Sequence, residues 1–326
     1  MSPEPRRGRQ PVRDTWPLDR FLRERAIALG HTLDASTLRT YNSAFTSFMT
    51  FIRAHNFPMP PSEDTLSFYI VYMSHHISPR SITTYLSGIV QQLEPFYPDI
   101  RTIRNSKLIQ RTLQGCMKVH ARPTRRKLPL TLSDISAVAL HYHQQPAHDD
   151  LLFLAILITG FFALLHLGEM VFPDDTSIRD WRKISCWRTV SLSPDRFTFQ
   201  LPFHKADHFF AGNEILVTRG TTAIDPIQHF RSYLASRDSL LPLHSALWLW
   251  ADGTIPTRSF FMRCLRFFFQ KHIGGQSMRA GGATFLAEQG TPPSLIQARG
   301  RWSSDAFLIY IRCNPALLID LISTAH

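Results

Sequence analysis

Apolar residues in the first third of the chain follow the period of an amphipathic helix. In the segment 34–55 they recur at steps of three and four, which places them on one helical face. These residues are Leu38, Tyr41, Phe45, Phe48 and Ile52. Asp34 or Ser36 can cap the start of this predicted helix.

Three further helices are predicted before residue 121. The segment 60–76 has Ser62 as N-cap and an apolar face formed by Leu66, Tyr69, Ile70 and Met73. The segment 78–93 has Ser78 as N-cap and Pro79 at the first helical position, where the missing N–H is not needed. The fourth helix spans 105–120. Residues 18–120 are therefore predicted to form a small all-helical domain, preceded by a disordered basic tail at 1–17.

The segment 121–130 interrupts the helical pattern. It reads ARPTRRKLPL and holds two prolines and four cations, which is typical of a linker. A second domain is predicted over 131–326, with Thr131 capping its first helix.

The period changes to alternation after residue 185, which predicts strands. We expect a three-stranded antiparallel sheet from about 186–192, 196–203 and 214–218, with a turn at Ser193–Asp195 and a loop that contains Lys205. Helices follow at 225–237, 257–273, 276–290 and 291–300, and Tyr310 lies on a final one. The predicted fold is mainly α, with a small sheet in the second domain.

An apolar run starts at Leu151 and is broken at His166. It spans roughly 15 residues, whereas a membrane span needs about 20. The run therefore predicts a buried core helix, and no membrane partner is expected.

Positive charge is concentrated in the first part of the chain. The net charge is +11, and residues 1–127 hold 19 Lys and Arg against 9 Asp and Glu, which gives +10. This split favours a nucleic-acid partner over a uniformly basic surface. The linker cations are candidates for a strap across a phosphate backbone, for a nuclear import patch or for a solvated loop. They are Arg122, Arg125, Arg126 and Lys127.

The four cysteines lie far apart in the sequence. No pair has metal-ligand spacing, and no disulfide framework is implied. The sequence therefore predicts a reduced, intracellular protein without a metal site.

The segment 275–312 reads GQSMRAGGATFLAEQGTPPSLIQARGRWSSDAFLIYIR and resembles the tyrosine recombinase (phage integrase-type) family. It is most similar to the Crypton-like members found in fungal mobile elements. TGFFALLHLGEM, from Thr159, resembles the helix that carries the first arginine of that family. LPFHKADH, from Leu201, resembles its strand and turn with a lysine. The resemblance covers about residues 30–320. It implies a SAM-like core-binding domain at 18–120 and a catalytic-type domain at 131–326.

The resemblance implies phosphoryl transfer on double-stranded DNA without a metal or nucleotide cofactor. Tyr310 matches the nucleophile, which forms a 3′-phosphotyrosine while a 5′-hydroxyl leaves. Arg279 matches the second arginine on the phosphate, Lys205 the lysine that protonates the leaving oxygen, and Trp302 the His/Trp position. Gln276 and Arg279, one turn apart on a helix, are expected to face the same phosphate. The family also implies a homo-oligomer, a dimer or tetramer, on DNA and, for this type of element, a nuclear location.

Two positions depart from the family pattern. His166 stands where the first arginine is expected, and Gln276 stands where the histidine is expected. Histidine lacks the bidentate guanidinium fork, and glutamine cannot exchange a proton at neutral pH. Loss of one oxyanion donor costs on the order of 10²–10³ in rate, and loss of the acid/base group costs roughly 10²–10⁴. The sequence therefore predicts impaired strand cleavage.

Three hypotheses follow from these patterns. The first is a recombinase-type DNA-binding protein with impaired catalysis. The second is an active site-specific recombinase that tolerates His166 and Gln276. The third is a non-catalytic helical protein that binds RNA or acidic partners. Salt-dependent duplex binding and a covalent DNA adduct distinguish them.

Overall fold

The computed structural model describes residues 13–30, 33–120, 126–202, 212–220, 222–269, 272–304 and 307–308. The chain divides into two compact units, Met1–Thr124 and Arg125–His326. Most of the tail predicted to be disordered, residues 1–12, lies outside the described residues, as do the first half of the linker, 121–125, and most of the predicted helix around Tyr310.

The described part of the first unit is helical. Its helices are α1 (Leu18–Gly30), α2 (Ala35–Ala54), α3 (Glu63–His76), α4 (Pro79–Leu93), α5 (Ile100–Arg104) and α6 (Lys107–Val119). The predicted N-cap of α3 is confirmed, because the Ser62 side chain accepts the N–H of Thr65 at 3.2 Å. Pro79 occupies the first turn of α4, as predicted.

The core of the first unit lies between α2, α3, α4 and α6. The predicted apolar face of α3 is buried throughout, and Phe48 of α2 packs edge-on against Tyr69 with ring centroids 5.2 Å apart. Burial raises the pKa of the Tyr69 phenol to about 12, so this side chain stays neutral. It donates a hydrogen bond to the Ser47 hydroxyl at 3.0 Å.

Helices also make up most of the described second unit. They are α7 (Leu132–His141), α8 (His148–Phe162), α9 (Pro226–Leu240), α10 (Arg258–Phe268), α11 (Ser277–Glu288) and α12 (Pro293–Gly300). Thr131 caps α7 as predicted, in a reciprocal capping box with Asp134. The apolar run from Leu151 is confirmed as a core helix, since α8 is buried from Leu152 to Phe162. No helix within the described ranges is long and apolar enough to span a bilayer.

The sheet has the predicted antiparallel order, but its first strand is shorter than expected. The strands are β1 (Ser191–Leu192), β2 (Arg196–Leu201) and β3 (Asn213–Thr218), hydrogen-bonded in that order. The prediction of a strand from 186 is wrong, because Trp187–Thr189 forms a 3₁₀ turn. The Thr189 hydroxyl donates to the Cys186 carbonyl at 2.7 Å and closes that turn. The inward face of β2 packs on α9, where the Phe197 and Phe230 rings stack at 3.9 Å.

Buried polar side chains attach the segment 244–249 to helices α8 and α9. Tyr233 donates to the Leu247 carbonyl at 2.8 Å and accepts the Leu249 N–H at 2.9 Å. Arg237 is fully buried and donates to the carbonyls of His244 and Ala246. Together with the antiparallel bridge between Cys186 and Ala246, these contacts satisfy backbone groups that would otherwise be buried without partners.

We expect Tyr233→Phe to lower the free energy of unfolding by about 1–3 kcal/mol, because a buried N–H and a buried carbonyl each lose their partner. Burial raises the pKa of the Tyr233 phenol, so its hydrogen atom is present at neutral pH. Denaturant unfolding monitored by tryptophan fluorescence checks this. The exposed Tyr72→Phe is the control and should change stability little. Equal effects of the two substitutions would contradict the prediction.

Candidate functional site

His166 and Gln276 lie 110 positions apart in the sequence, and both line one cavity of the second unit. The cavity has a volume of about 610 Å³. Its lining is formed by the turn after α8, the start of α11, one face of α10 and the end of the linker. Both side chains are exposed to it.

A turn in the left-handed region places His166 at the cavity. α8 ends at Phe162, and Leu164 then adopts φ = +54°, an unfavourable value for a residue with a large side chain. His166 precedes the 3₁₀ turn Leu167–Glu169. Its backbone N–H donates to the Glu169 carboxylate at 2.8 Å. The backbone at position 166 is therefore held by its own turn.

Gln276 occupies the N-cap position of α11. The preceding Gly275 lies against Leu167, since a Cβ there would be 2.8 Å from the Leu167 Cδ2. The Gly274 N–H donates to the Ser277 hydroxyl at 3.0 Å. Close packing at Gly275 thus brings the start of α11 against the turn that carries His166.

Arg279 is buried and binds backbone carbonyls rather than lining the cavity. Its side chain donates to the Leu164 carbonyl at 2.6 Å and to the Gly300 carbonyl. Its guanidinium carbon lies 4.0 Å from the centroid of the Trp302 ring, a cation–π geometry. The expectation that Gln276 and Arg279 face one point therefore differs from the structure, because these carbonyls direct Arg279 into the protein.

Small residues allow α11 to approach its neighbours closely. A Cβ on Gly281 would lie 1.9 Å from the Leu130 carbonyl oxygen, and a Cβ on Gly282 would lie 2.0 Å from the Phe161 carbonyl oxygen. Backbone atoms cannot move aside as the end of a flexible side chain can. Gly282 therefore permits the close contact of α11 with α8, and Gly281 permits its contact with the end of the linker.

An ion pair links the His166 turn to the end of α12. Glu169 accepts a hydrogen bond from Arg301 at 3.0 Å, and both side chains are about nine-tenths buried. Arg301 lies just after α12 with φ = +57°. Gly300 fits there because a Cβ would lie 1.8 Å from the Trp302 ring. Trp302 is thus fixed beside Arg279.

The structure places the predicted site residues in two adjoining groups. His166 and Gln276 line the cavity, while Arg279 and Trp302 form a partly buried pair behind it. Leu164 joins the groups, since its carbonyl binds Arg279 two positions before His166. Four candidates lie outside the described residues, namely Lys205, Tyr310, Arg122 and Arg125. The remaining linker cations, Arg126 and Lys127, are exposed, and Lys127 also lines the cavity.

The sequence analysis missed two further cations that line the cavity, Arg258 and Arg266 of α10. They are eight positions apart and share a helical face with Met262, so the periodicity of α10 was the available signal. Within the described ranges, no cluster of three His, Cys, Asp or Glu side chains could hold a metal ion.

The fold is that of tyrosine recombinases and integrases. The XerH site-specific recombinase, solved with its palindromic difH substrate in a post-cleavage complex, superposes with a TM-score of 0.60 at 15% identity, over 87% of this chain and 78% of that one. A lambda integrase dimer bound to a core site gives 0.56 at 12% identity, over 90% and 94%. The Tn1549 transposon integrase, in complex with transposon right end DNA, gives 0.55 at 13% identity, over 90% and 92%.

Sequence comparison gives no corresponding match. No family model matches the chain, and no curated protein sequence matches it. The structural likeness, at these identities, establishes the fold alone.

We expect Arg279→Met to lower the free energy of unfolding by about 3 kcal/mol, because the buried carbonyls of Leu164 and Gly300 lose a charged donor. Gln276→Met is the matched control, since Gln276 is exposed at the cavity and the new side chain is the same. Denaturant unfolding measures both. Equal stability of the two variants would show that the carbonyl bonds of Arg279 do not stabilise the fold.

Proposed function

We propose that the chain is a DNA-binding protein of the tyrosine recombinase type in which strand cleavage is impaired. The observation that carries this proposal is that His166 and Gln276 line one cavity. These are the positions at which the sequence resemblance expects an arginine and a histidine. If the motif resemblance were due to chance, there would be no reason for these two distant positions to line the same cavity in a chain with the recombinase fold.

The expected chemistry is an in-line displacement at phosphorus. The Tyr310 oxygen would form a bond to the scissile phosphate, the bond to the 5′ oxygen would break, and that oxygen would take a proton, with Lys205 as its source. The phenol proton would pass to a base, the part that the family histidine can play. Charge builds on the non-bridging oxygens, so donors placed there lower the barrier most.

Three features of the site support impairment. Histidine at position 166 has no guanidinium fork. Glutamine at position 276 can donate a hydrogen bond but cannot accept the phenol proton. Arg279 already donates to two buried carbonyls, and its guanidinium lies over Trp302. The groups that would stabilise the transition state are therefore substituted or engaged elsewhere.

The proposal extends to partners and origin. Double-stranded DNA is the proposed partner, in keeping with the DNA complexes solved for XerH and lambda integrase. A dimer or tetramer on DNA is the proposed assembly, by analogy with the lambda integrase tetramer on a Holliday junction. The Crypton-like motif pattern suggests a mobile-element origin and a nuclear location. A helical RNA-binding protein is the second candidate, and it is favoured only by the charge of the first unit.

The full chain should bind random-sequence duplex DNA with an affinity that falls steeply with salt, since each neutralised phosphate contributes about −0.9 to the slope. Neutralising the linker cations should flatten that slope by about 2–4 units. The four substitutions are Arg122→Gln, Arg125→Gln, Arg126→Gln and Lys127→Gln. Fluorescence anisotropy over a salt series measures the slope.

A charge-matched variant serves as control for the linker. In this variant four exposed cations of the second unit that neither belong to the linker nor line the cavity are changed to Gln, namely Arg188, Arg196, Arg231 and Arg263. If the salt slope of DNA binding became shallower by the same amount in both variants, the linker would not be part of the DNA interface. Preference for single-stranded RNA over duplex DNA would favour the second candidate function.

The unmodified chain should form little or no covalent adduct with nicked suicide duplexes drawn from a random-sequence pool. His166→Arg combined with Gln276→His should raise the yield, because it restores a bidentate donor and a proton acceptor. Tyr310→Phe in that background should abolish the adduct. Denaturing gel electrophoresis detects the protein–DNA species. A strong adduct from the unmodified chain would contradict impairment, and an adduct that survives Tyr310→Phe would exclude Tyr310 as nucleophile.

A further inference from the structure

The cavity beside His166 holds three cations that belong to none of the family motifs. Arg258 and Arg266 come from α10, and Lys127 comes from the end of the linker. All three side chains are exposed. Like charges collected in a concave site repel one another, and an anion bound among them relieves that repulsion.

α10 presents its two arginines from a rigid base. The helix is capped at Thr257, and its opposite face is buried at Phe260, Phe261 and Leu265. The Arg258 backbone N–H donates to the Phe172 carbonyl at 2.9 Å. Arg258 and Arg266 therefore project from one face of a fixed helix, on either side of Met262.

Lys127 is placed by pairing of the linker end with the segment before α11. The Leu128 N–H donates to the His272 carbonyl at 2.9 Å, and the Leu130 N–H donates to the Ser277 carbonyl at 3.0 Å. A Cβ on Gly274 would lie 3.4 Å from the Lys127 Cγ, so the aliphatic stem passes over this glycine. Gly274 lies against the Lys127 stem and Gly275 against Leu167 of the His166 turn, so the two glycines let the cavity wall pack closely between them.

Carboxylates offset little of the charge of Arg258 and Arg266. Among the described residues that line the cavity there is no Asp or Glu. Glu169 binds the His166 N–H and Arg301. Asp174 is close enough to Arg258 to be affected by its charge, but the pKa of Asp174 is lowered mainly by hydrogen bonds from Ser259. Within the described ranges, neither Arg258 nor Arg266 forms an ion pair with a carboxylate.

We propose that Arg258, Arg266 and Lys127 form a binding site for one phosphate group of the DNA backbone. The site supplies positive charge that His166 and Gln276 no longer provide at the same cavity, and it does so with residues outside the recombinase motifs. The assignment of this phosphate to DNA rests on the proposed function, whereas the anion site itself is inferred from the cations that line the cavity. Guanidinium forks suit a phosphate because they donate two parallel hydrogen bonds.

The test compares the unmodified chain with two double variants of equal charge. The cavity variant is Arg258→Gln with Arg266→Gln. The control is Arg188→Gln with Arg263→Gln, since both residues are exposed, neither lines the cavity and Arg263 lies on the same helix. Lys127 is left unchanged, so the result is independent of the linker substitutions. Arg258→Lys with Arg266→Lys preserves the charge and should retain phosphate binding.

The first measurement is the rise in melting temperature in inorganic phosphate relative to chloride at equal ionic strength. Binding to the folded state stabilises it by mass action. Phosphate also stabilises proteins by exclusion from their surface, and the control variant measures that part. We expect the melting temperature to rise by the same amount in the unmodified chain and the control, and by less in the cavity variant. Equal increments in all three would overturn the phosphate site.

The second measurement is the salt dependence of random-duplex binding. The cavity variant should lose about 0.9 from the slope relative to the control, the contribution of one phosphate. The cavity variant could show the expected smaller rise in melting temperature and yet bind DNA with the same salt slope as the control. That result would overturn the DNA assignment of the site and leave the proposed function intact. If the unmodified chain binds no DNA, the proposed function fails and the DNA assignment fails with it, while the melting series still reports on the anion site. If the cavity variant does not fold, the single variants Arg258→Gln and Arg266→Gln replace it, and phosphate increments equal to that of the control in both would overturn the site.

Discussion

The buried guanidinium of Arg279 joins three helices of the second unit. It lies on α11 and donates to carbonyls that follow α8 and end α12. A buried cation is stable only when its hydrogen atoms find acceptors, so these carbonyls have to be presented to it. The left-handed conformation of Leu164 presents one of them, and the glycines at 281 and 282 allow α11 to approach closely enough. The position of His166 follows from this arrangement.

Under the proposed function, the same guanidinium is the group that the recombinase chemistry would require on the phosphate. A guanidinium has five N–H donors in a fixed plane, and those on the Leu164 and Gly300 carbonyls cannot be turned to a phosphate without breaking these bonds. An arginine at position 166 would ease this conflict, because it would bring a second fork to the cavity. With histidine there, the proposed function would make stability of the fold and stabilisation of the transition state compete for Arg279.

The helical framework and the inner face of the sheet could be predicted because they follow local periodicity and capping. The apolar face of α3, its Ser62 cap and the burial of α8 all match their patterns. The start of β1 could not be predicted, since alternation does not reveal a 3₁₀ turn closed by the Thr189 hydroxyl. The orientation of Arg279 depends on carbonyls 115 and 21 positions away, which no local pattern encodes. The contribution of α10 to the cavity was missed for the same reason. Lys205 and Tyr310 remain predictions from the motifs.

Binding a phosphate and cleaving at it make different demands on a site. Affinity rises with any positive charge near the ground-state phosphate, wherever the donors lie around it. Cleavage accelerates only when interactions are stronger in the transition state than in the ground state. That requires donors at the oxygens where charge develops and a group that exchanges a proton. Arg258 and Arg266, which line the cavity from α10, would meet the first demand under our proposals, whereas His166 and Gln276 would not meet the second. Under the proposed function, the cavity would therefore retain a DNA phosphate although the residues for efficient cleavage are substituted.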